Sequence, residues 1–168
     1  TLVIAPRLPG LLKAALLRLP SFRAPGLAAA IDYTLTAAPL LAVLFAAERV
    51  VGRGHATSAA AESLNAGLPW QDAGTPAPSA GNCSTMRAPP VGLFFASNPT
   101  RLADAACTQG RITHADPRCC AGAAAAAAAV ALAAASDRIE PTEFLCHLRS
   151  LTARIDPTVA SGWRQLRE

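Results

Sequence analysis

The sequence predicts an all-α fold, a single-domain orthogonal bundle of short helices, and three observations carry that expectation. Alanine makes up about a quarter of the 168 residues, and alanine is the strongest helix former. Aromatic residues are 5% of the chain against a hydrophobic content of 52%, so the core has to be built from Ala, Leu and Val, which let helices approach closely. Apolar residues recur at intervals of three and four, and Asx-Pro pairs that start helices punctuate the second half.

Taken in order, Leu8, Leu11, Leu12, Ala15, Leu16 and Leu19 form an apolar stripe with Lys13 and Arg18 off it, an amphipathic helix that Pro20 and Pro25 stop. Thr36 can cap a second helix burying Leu40, Leu41, Leu44, Phe45 and Val51, with Gly52 as its stop. A third starts at Thr57 or Ser58 and runs to Gly67. Leu68 to Ala80 is rich in Pro, Gly and Ser and reads as an exposed connection. Asn98-Pro99 pairs a cap with a first-turn proline and predicts a helix over 99–109, ending at Gly110. Asp116-Pro117 repeats the signal and opens a long alanine helix through Ala135. Pro141 opens another, with Phe144, Leu145, Leu148 and Leu151 inward, and Asp156-Pro157 opens the last, which carries Trp163 and Leu166. No internal repeat is present.

Charge divides the chain. Residues 1–31 hold Arg7, Lys13, Arg18 and Arg23 and no acid, whereas in residues 32–168 the remaining 11 bases match 11 acids. The net charge of +4 is thus a property of a basic N-terminal helix or leader segment, and 32–168 is the helical domain proper. The leader is basic and acid-free like a transit peptide, but it has few Ser and many Pro. Without aromatic residues interleaved among the basic ones, nucleic acid is not an expected partner. The longest apolar run, Cys119 to Ala135, is nearly all alanine, which contributes little to bilayer transfer, so it reads as a buried helix and no membrane span is expected. The five cysteines show neither zinc-ligand nor Cys-x-x-Cys redox spacing. They read as small buried hydrophobes in a reducing, cytoplasmic setting.

Two segments bear chemistry. The first is Gly81-Asn82-Cys83-Ser84-Thr85-Met86-Arg87-Ala88-Pro89-Pro90-Val91-Gly92-Leu93, and the second is Thr113-His114-Ala115-Asp116-Pro117. Gly81 lets backbone approach a ligand. Asn82 offers donors and an acceptor, and the small Cys83 and Ser84 leave amides open to an anion. Arg87 either meets a phosphate or locks the loop through carbonyls, and the second role fits its place beside Pro89-Pro90 better. His114 precedes a helix N-terminus, where amides and dipole favour negative charge.

Order and spacing of these segments resemble the ADP-ribosylglycohydrolase family, whose loop reads Gly-Asn-Gly-x-x-Met-Arg-x-x-Pro-x-Gly-Leu and whose helix start reads Thr-His-x-x-Pro. The likeness runs from about Thr34 to Ala135 and includes Ala56-Thr57-Ser58 through Leu64, Gly67, Pro69-Trp70 and Gly74. It implies a partial version of a helical fold. It also implies hydrolysis of the N-glycosidic bond of ADP-ribosylated protein, with ADP-ribose resting on Gly81, Asn82, Cys83, Ser84 and His114. The resemblance departs in two respects. Cys83 stands where the family has a second Gly, which predicts strain there if the position needs a positive φ. The family's magnesium ions (Mg2+) are held by an early Thr-Asp-Asp and a late Asp-x-Asp-Thr motif. This chain reads Ile31-Asp32-Tyr33-Thr34-Leu35-Thr36 and then ends at Glu168 with no such late motif. No metal ligand set is therefore expected, Asp32 being the one acid near the early motif. The chain alone is expected to be a truncated, inactive relative, or else a non-catalytic module that binds ADP-ribose or a protein. Apolar helix faces left uncovered would favour a homo-oligomer.

Overall fold

A computed structural model describes residues 42–47 and 54–163. The expected helix from Leu8 to Leu19, the boundary after residue 31, Asp32, the Thr36 cap, the Val51-Gly52 stop and Leu166 lie outside the described residues. Residues 42–46 are helical, with Ala42 buried and Leu44 and Phe45 half-buried.

Eight helices follow: α1 His55–Asn65, α2 Trp70–Ala73, α3 Cys83–Met86, α4 Pro89–Phe94, α5 Pro99–Arg111, α6 Pro117–Ala135, α7 Pro141–Ala153 and α8 Pro157–Gly162. No strand occurs among the described residues; one isolated bridge joins Thr75 to His114. The fold is all-α, as the alanine content predicts.

Asx-Pro signals mark helix starts to the residue. Asn98 accepts from the Arg101 amide, Asp116 from that of Arg118, and Asp156 from those of Thr158 and Val159. Glu140 does the same for the Glu143 amide ahead of Pro141. Each carboxylate or amide oxygen satisfies a first-turn N–H that has no intrahelical partner, while the proline occupies a position where no N–H is needed. α5 runs on to Arg111 instead of stopping at 109, because Gly110 stays helical and is packed near the Ser84 side chain.

α1 begins two residues before the expected Thr57, with Gly54 extended at φ −72°, ψ 140° and its carbonyl accepting from Ser58 N. Its end is a Schellman turn. Gly67 takes φ 88°, Gly67 N donates to Leu64 O and Leu68 N to Ser63 O. The connection over 68–80 is only partly exposed. Trp70–Ala73 forms a helical turn, Ala73 and Gly74 are buried, and a Cβ on Gly74 would collide with the Arg111 carbonyl.

α6 is the central element. It lies against α3, α4, α5, α7 and α8. By length and composition, with a mean hydropathy of 1.6, it is long and apolar enough to cross a membrane. Eight of its side chains are nevertheless buried within this fold, as in a core helix. The core joins Ala123, Ala124, Ala127 and Ala131 of α6 to Ala88 and Val91 at α4 and to Leu102 and Ala106 of α5. Gly92 lets α4 touch α6, since a Cβ there would overlap the Ala127 carbonyl oxygen. Small side chains make the contact close, and closeness replaces bulk as the source of dispersion energy. On α7, of the four side chains expected inward only Leu148 is buried, at 2% exposure; Phe144, Leu145 and Leu151 are half-buried, and Thr152 is buried beside them in sequence.

Candidate functional site

The Gly-Asn loop and the Thr-His pair come together. Thr75 N donates to Thr113 O at 3.1 Å and Ala115 N donates to Thr75 O at 2.8 Å, so the strand-like bridge brings the incoming loop alongside the segment that carries His114. A Cβ built on Gly81 would lie 2.8 Å from His114 Nε2. Glycine is required here for the approach, not for its dihedral freedom. Gly81 and Asn82 are exposed, and His114 is only 2% exposed.

Cys83 opens a helical turn, with Asn82 before it at φ −89°, ψ 3°. Left-handed backbone is therefore not needed, and the strain expected at Cys83 is absent because the turn is right-handed. Ser84 is fully buried. Its hydroxyl donates to Cys119 O at 3.1 Å and its carbonyl accepts from Gln109 Nε2 at 2.9 Å, so the side chain ties α3 to α6 and does not reach the surface. Cys119 Sγ donates to Gly81 O at 3.2 Å, a second tie between loop and α6.

Arg87 is the lock. Its Nε donates to Gln109 Oε1 at 2.7 Å, and its Nη2 donates to Gln109 O at 2.9 Å and to Thr113 Oγ1 at 2.6 Å. Carbonyl locking, the role preferred from sequence, is what the guanidinium does. A planar fork of donors suits several acceptors, Gly110 O among them, held in a fixed arrangement.

That network also reaches the histidine ring. Thr113 Oγ1 receives Arg87 and stands 2.8 Å from His114 Nδ1, against 3.4 Å from Gly110 O. In the tautomer where that hydroxyl donates to the nearer Nδ1, the ring proton sits on Nε2. Burial, then the Arg87 charge, holds the imidazole below its ordinary value of 6.5, partly opposed by Asp116. In that tautomer a neutral His114 turns an N–H donor toward Gly81. Asp116 is 1% exposed. Its Oδ1 accepts from Arg118 N and Nε and its Oδ2 from Arg118 Nη2, and these bonds hold its carboxyl below 3.8. Arg118 Nη2 donates onward to Pro78 O at 3.1 Å, fastening the loop from its other end.

Gln109 and Thr75 were not singled out from sequence, whereas Thr113 and Asp116 fell within the Thr-His segment, Asp116 as a helix cap. Gln109 did carry a signal, as an uncharged polar residue on the buried stripe of α5. Thr75 carried none, because its role lies in its backbone.

Magnesium, which the family resemblance implies, finds no fit among the described residues. Hard divalent cations need several oxygen ligands, mostly carboxylates, and no three His, Cys, Asp or Glu side chains gather there. Asp116, the acid nearest His114, has both oxygens engaged by Arg118.

The described residues form an all-α fold in which a glycine-asparagine loop is held against a buried histidine. Among helical proteins, the family model described as ADP-ribosylglycohydrolase matches residues 13–168, and the chain belongs to that family. No curated protein and no solved structure matches it.

Proposed function

We propose that this chain retains the ADP-ribose-binding part of an ADP-ribosylglycohydrolase and, by itself, does not turn substrate over. The observation that carries the reading is that His114 Nε2 faces Gly81, 2.8 Å from where a Cβ would stand. A buried, neutral imidazole offers one directed N–H beside exposed backbone that has no side chain to block it. Asn82, exposed next to it, adds an amide to the same edge. Donors of this kind suit the hydroxyl and phosphoryl oxygens of ADP-ribose. Arg87, Gln109 and Thr113 act as positioning residues that fix the ring and the loop before a ligand arrives.

The family reaction breaks the bond between C1 of the ribose and the nitrogen of the modified residue, and water supplies the hydroxyl that replaces it. Nothing among the described residues collects the carboxylates to hold magnesium for that step. Calorimetry of the chain with ADP-ribose should show binding that Asn82→Ala and His114→Ala weaken. Absence of binding would defeat the reading. Release of ADP-ribose from an ADP-ribosylated protein, in a magnesium-dependent manner, would overturn the expected lack of turnover.

A further inference from the structure

Cys107 and Cys120 are set apart from the other cysteines by where the helices place them. Cys107 lies on α5 and Cys120 on α6, and those helices pack through Ala106, Ala123 and Ala124, so little side-chain bulk separates them. Cys107 Sγ donates to Cys120 O at 3.7 Å across a separation of 13 residues, and the two thiols also hydrogen-bond each other. Cys119, next to Cys120 in sequence, points elsewhere, with its Sγ on Ser79 O and Gly81 O. Cys146 is exposed on α7, and Cys83 faces Gly54.

The two sulfurs have unlike surroundings. Cys120 sits in the first turn of α6, where the helix dipole favours negative charge. Arg111, the last residue of α5, hydrogen-bonds to the Cys120 sulfur and sets its positive charge beside it. The hydrogen bond from Cys107, and then Arg111, bring the Cys120 thiol down to about 7 against the effect of burial. Cys107 is pushed up, first by that hydrogen bond and then by burial, so it keeps its proton. An attacking thiolate thus lies against a thiol able to resolve its oxidised product. We propose that Cys107 and Cys120 are an oxidation site, closed by a peroxide into a disulfide that joins α5 to α6. The Cys120 thiolate attacks one peroxide oxygen, so an S–O bond forms and the O–O bond breaks. The departing hydroxide takes up the proton that Cys120 had released and becomes water. Cys107 then attacks the Cys120 sulfenic acid, an S–S bond replaces the S–O bond, and hydroxide leaves with the Cys107 proton as a second water. The sulfurs lose two electrons in all and the peroxide gains them. With Cys107 half-buried and Cys120 7% exposed, the site favours an oxidant as small as hydrogen peroxide over a bulky disulfide. The bridge would enclose the turn that carries Thr113 and His114.

Treatment of the full reduced chain with hydrogen peroxide at neutral pH, followed by peptide mass mapping, tests it. Cys107 and Cys120 should be recovered linked within one chain and lighter by two hydrogens, and dithiothreitol should restore both thiols. Cys120→Ala should lose the link. In Cys107→Ala nothing resolves the sulfenic acid, so added oxygen should be found at Cys120. Arg111→Gln, a change at an exposed position, should slow disulfide formation about tenfold, because less of Cys120 is then thiolate. Three results overturn the proposal: both sulfurs still reduced while Cys146 links separate copies, a link that persists in Cys120→Ala, or an Arg111→Gln rate equal to the parent's. Mapping of the parent chain needs no substitution, so a variant that fails to fold does not leave the question open. Neither sulfur belongs to the Gly-Asn loop, so the outcome is independent of ADP-ribose binding.

Discussion

His114 Nε2 stands 2.8 Å from where a Cβ on Gly81 would be. One methyl group therefore separates a histidine that faces the loop from one that cannot. Gly81→Ala should displace the ring and lower ADP-ribose affinity about tenfold or more, through loss of one directed hydrogen bond. His114 is buried, so the melting temperature should fall as well. Equal affinity for ADP-ribose in the two proteins would mean that His114 does not meet the ligand across Gly81.

Arg87 donates to Gln109, Gly110 and Thr113, and Gln109 beneath it is 1% exposed. Arg87→Ala should leave Gln109 Oε1 buried and unpaired, at a cost of about 2 kcal/mol in urea unfolding. Arg87→Lys should recover only part of this, since one ammonium cannot reproduce a planar fork. Full recovery by lysine would mean that charge alone, not geometry, is what the loop requires.

How much of this was legible beforehand depends on the range of the interaction. Asn98-Pro99, Asp116-Pro117 and Asp156-Pro157 located their helices because capping is a contact between neighbours in sequence. The pairing of the Gly81 loop with His114 came from a family resemblance, not from any pattern in the residues. Long-range ties stayed hidden, Thr75 to Thr113 and Arg87 to Gln109 among them, because they join positions whose residue types say nothing of each other. Cys83 shows the opposite error. Strain was expected from a substituted glycine, and a right-handed turn removes the need for one.

Acid should weaken the fold in two steps. His114 is held below 6.5, so the unfolded chain takes up its proton first as pH falls. Stability is full above pH 6.5, declines below it, and levels off under the lower native value. Asp116 is held below 3.8. Its contribution is present above that pH and is lost as pH falls through its lower native value. Melting temperature measured against pH should show the upper step in the parent chain and lose it in His114→Gln. A variant that keeps the upper step would assign it to another group.

Gly92 offers the sharpest test of how the helices meet. Gly→Ala inside a helix ordinarily stabilises by about 0.5–1 kcal/mol, because glycine has more freedom to lose. At Gly92 the sign should reverse, since an added Cβ would overlap the Ala127 carbonyl and part α4 from α6. Backbone cannot yield as a flexible side chain does, so Gly92→Ala should cost about 1–3 kcal/mol in urea unfolding. Gly162 provides the control: a Cβ there meets nothing within 4 Å, and Gly162→Ala should be neutral or stabilising. If both substitutions stabilise alike, the close approach of α4 to α6 is wrong, and with it the alanine-lined contact on which the core depends.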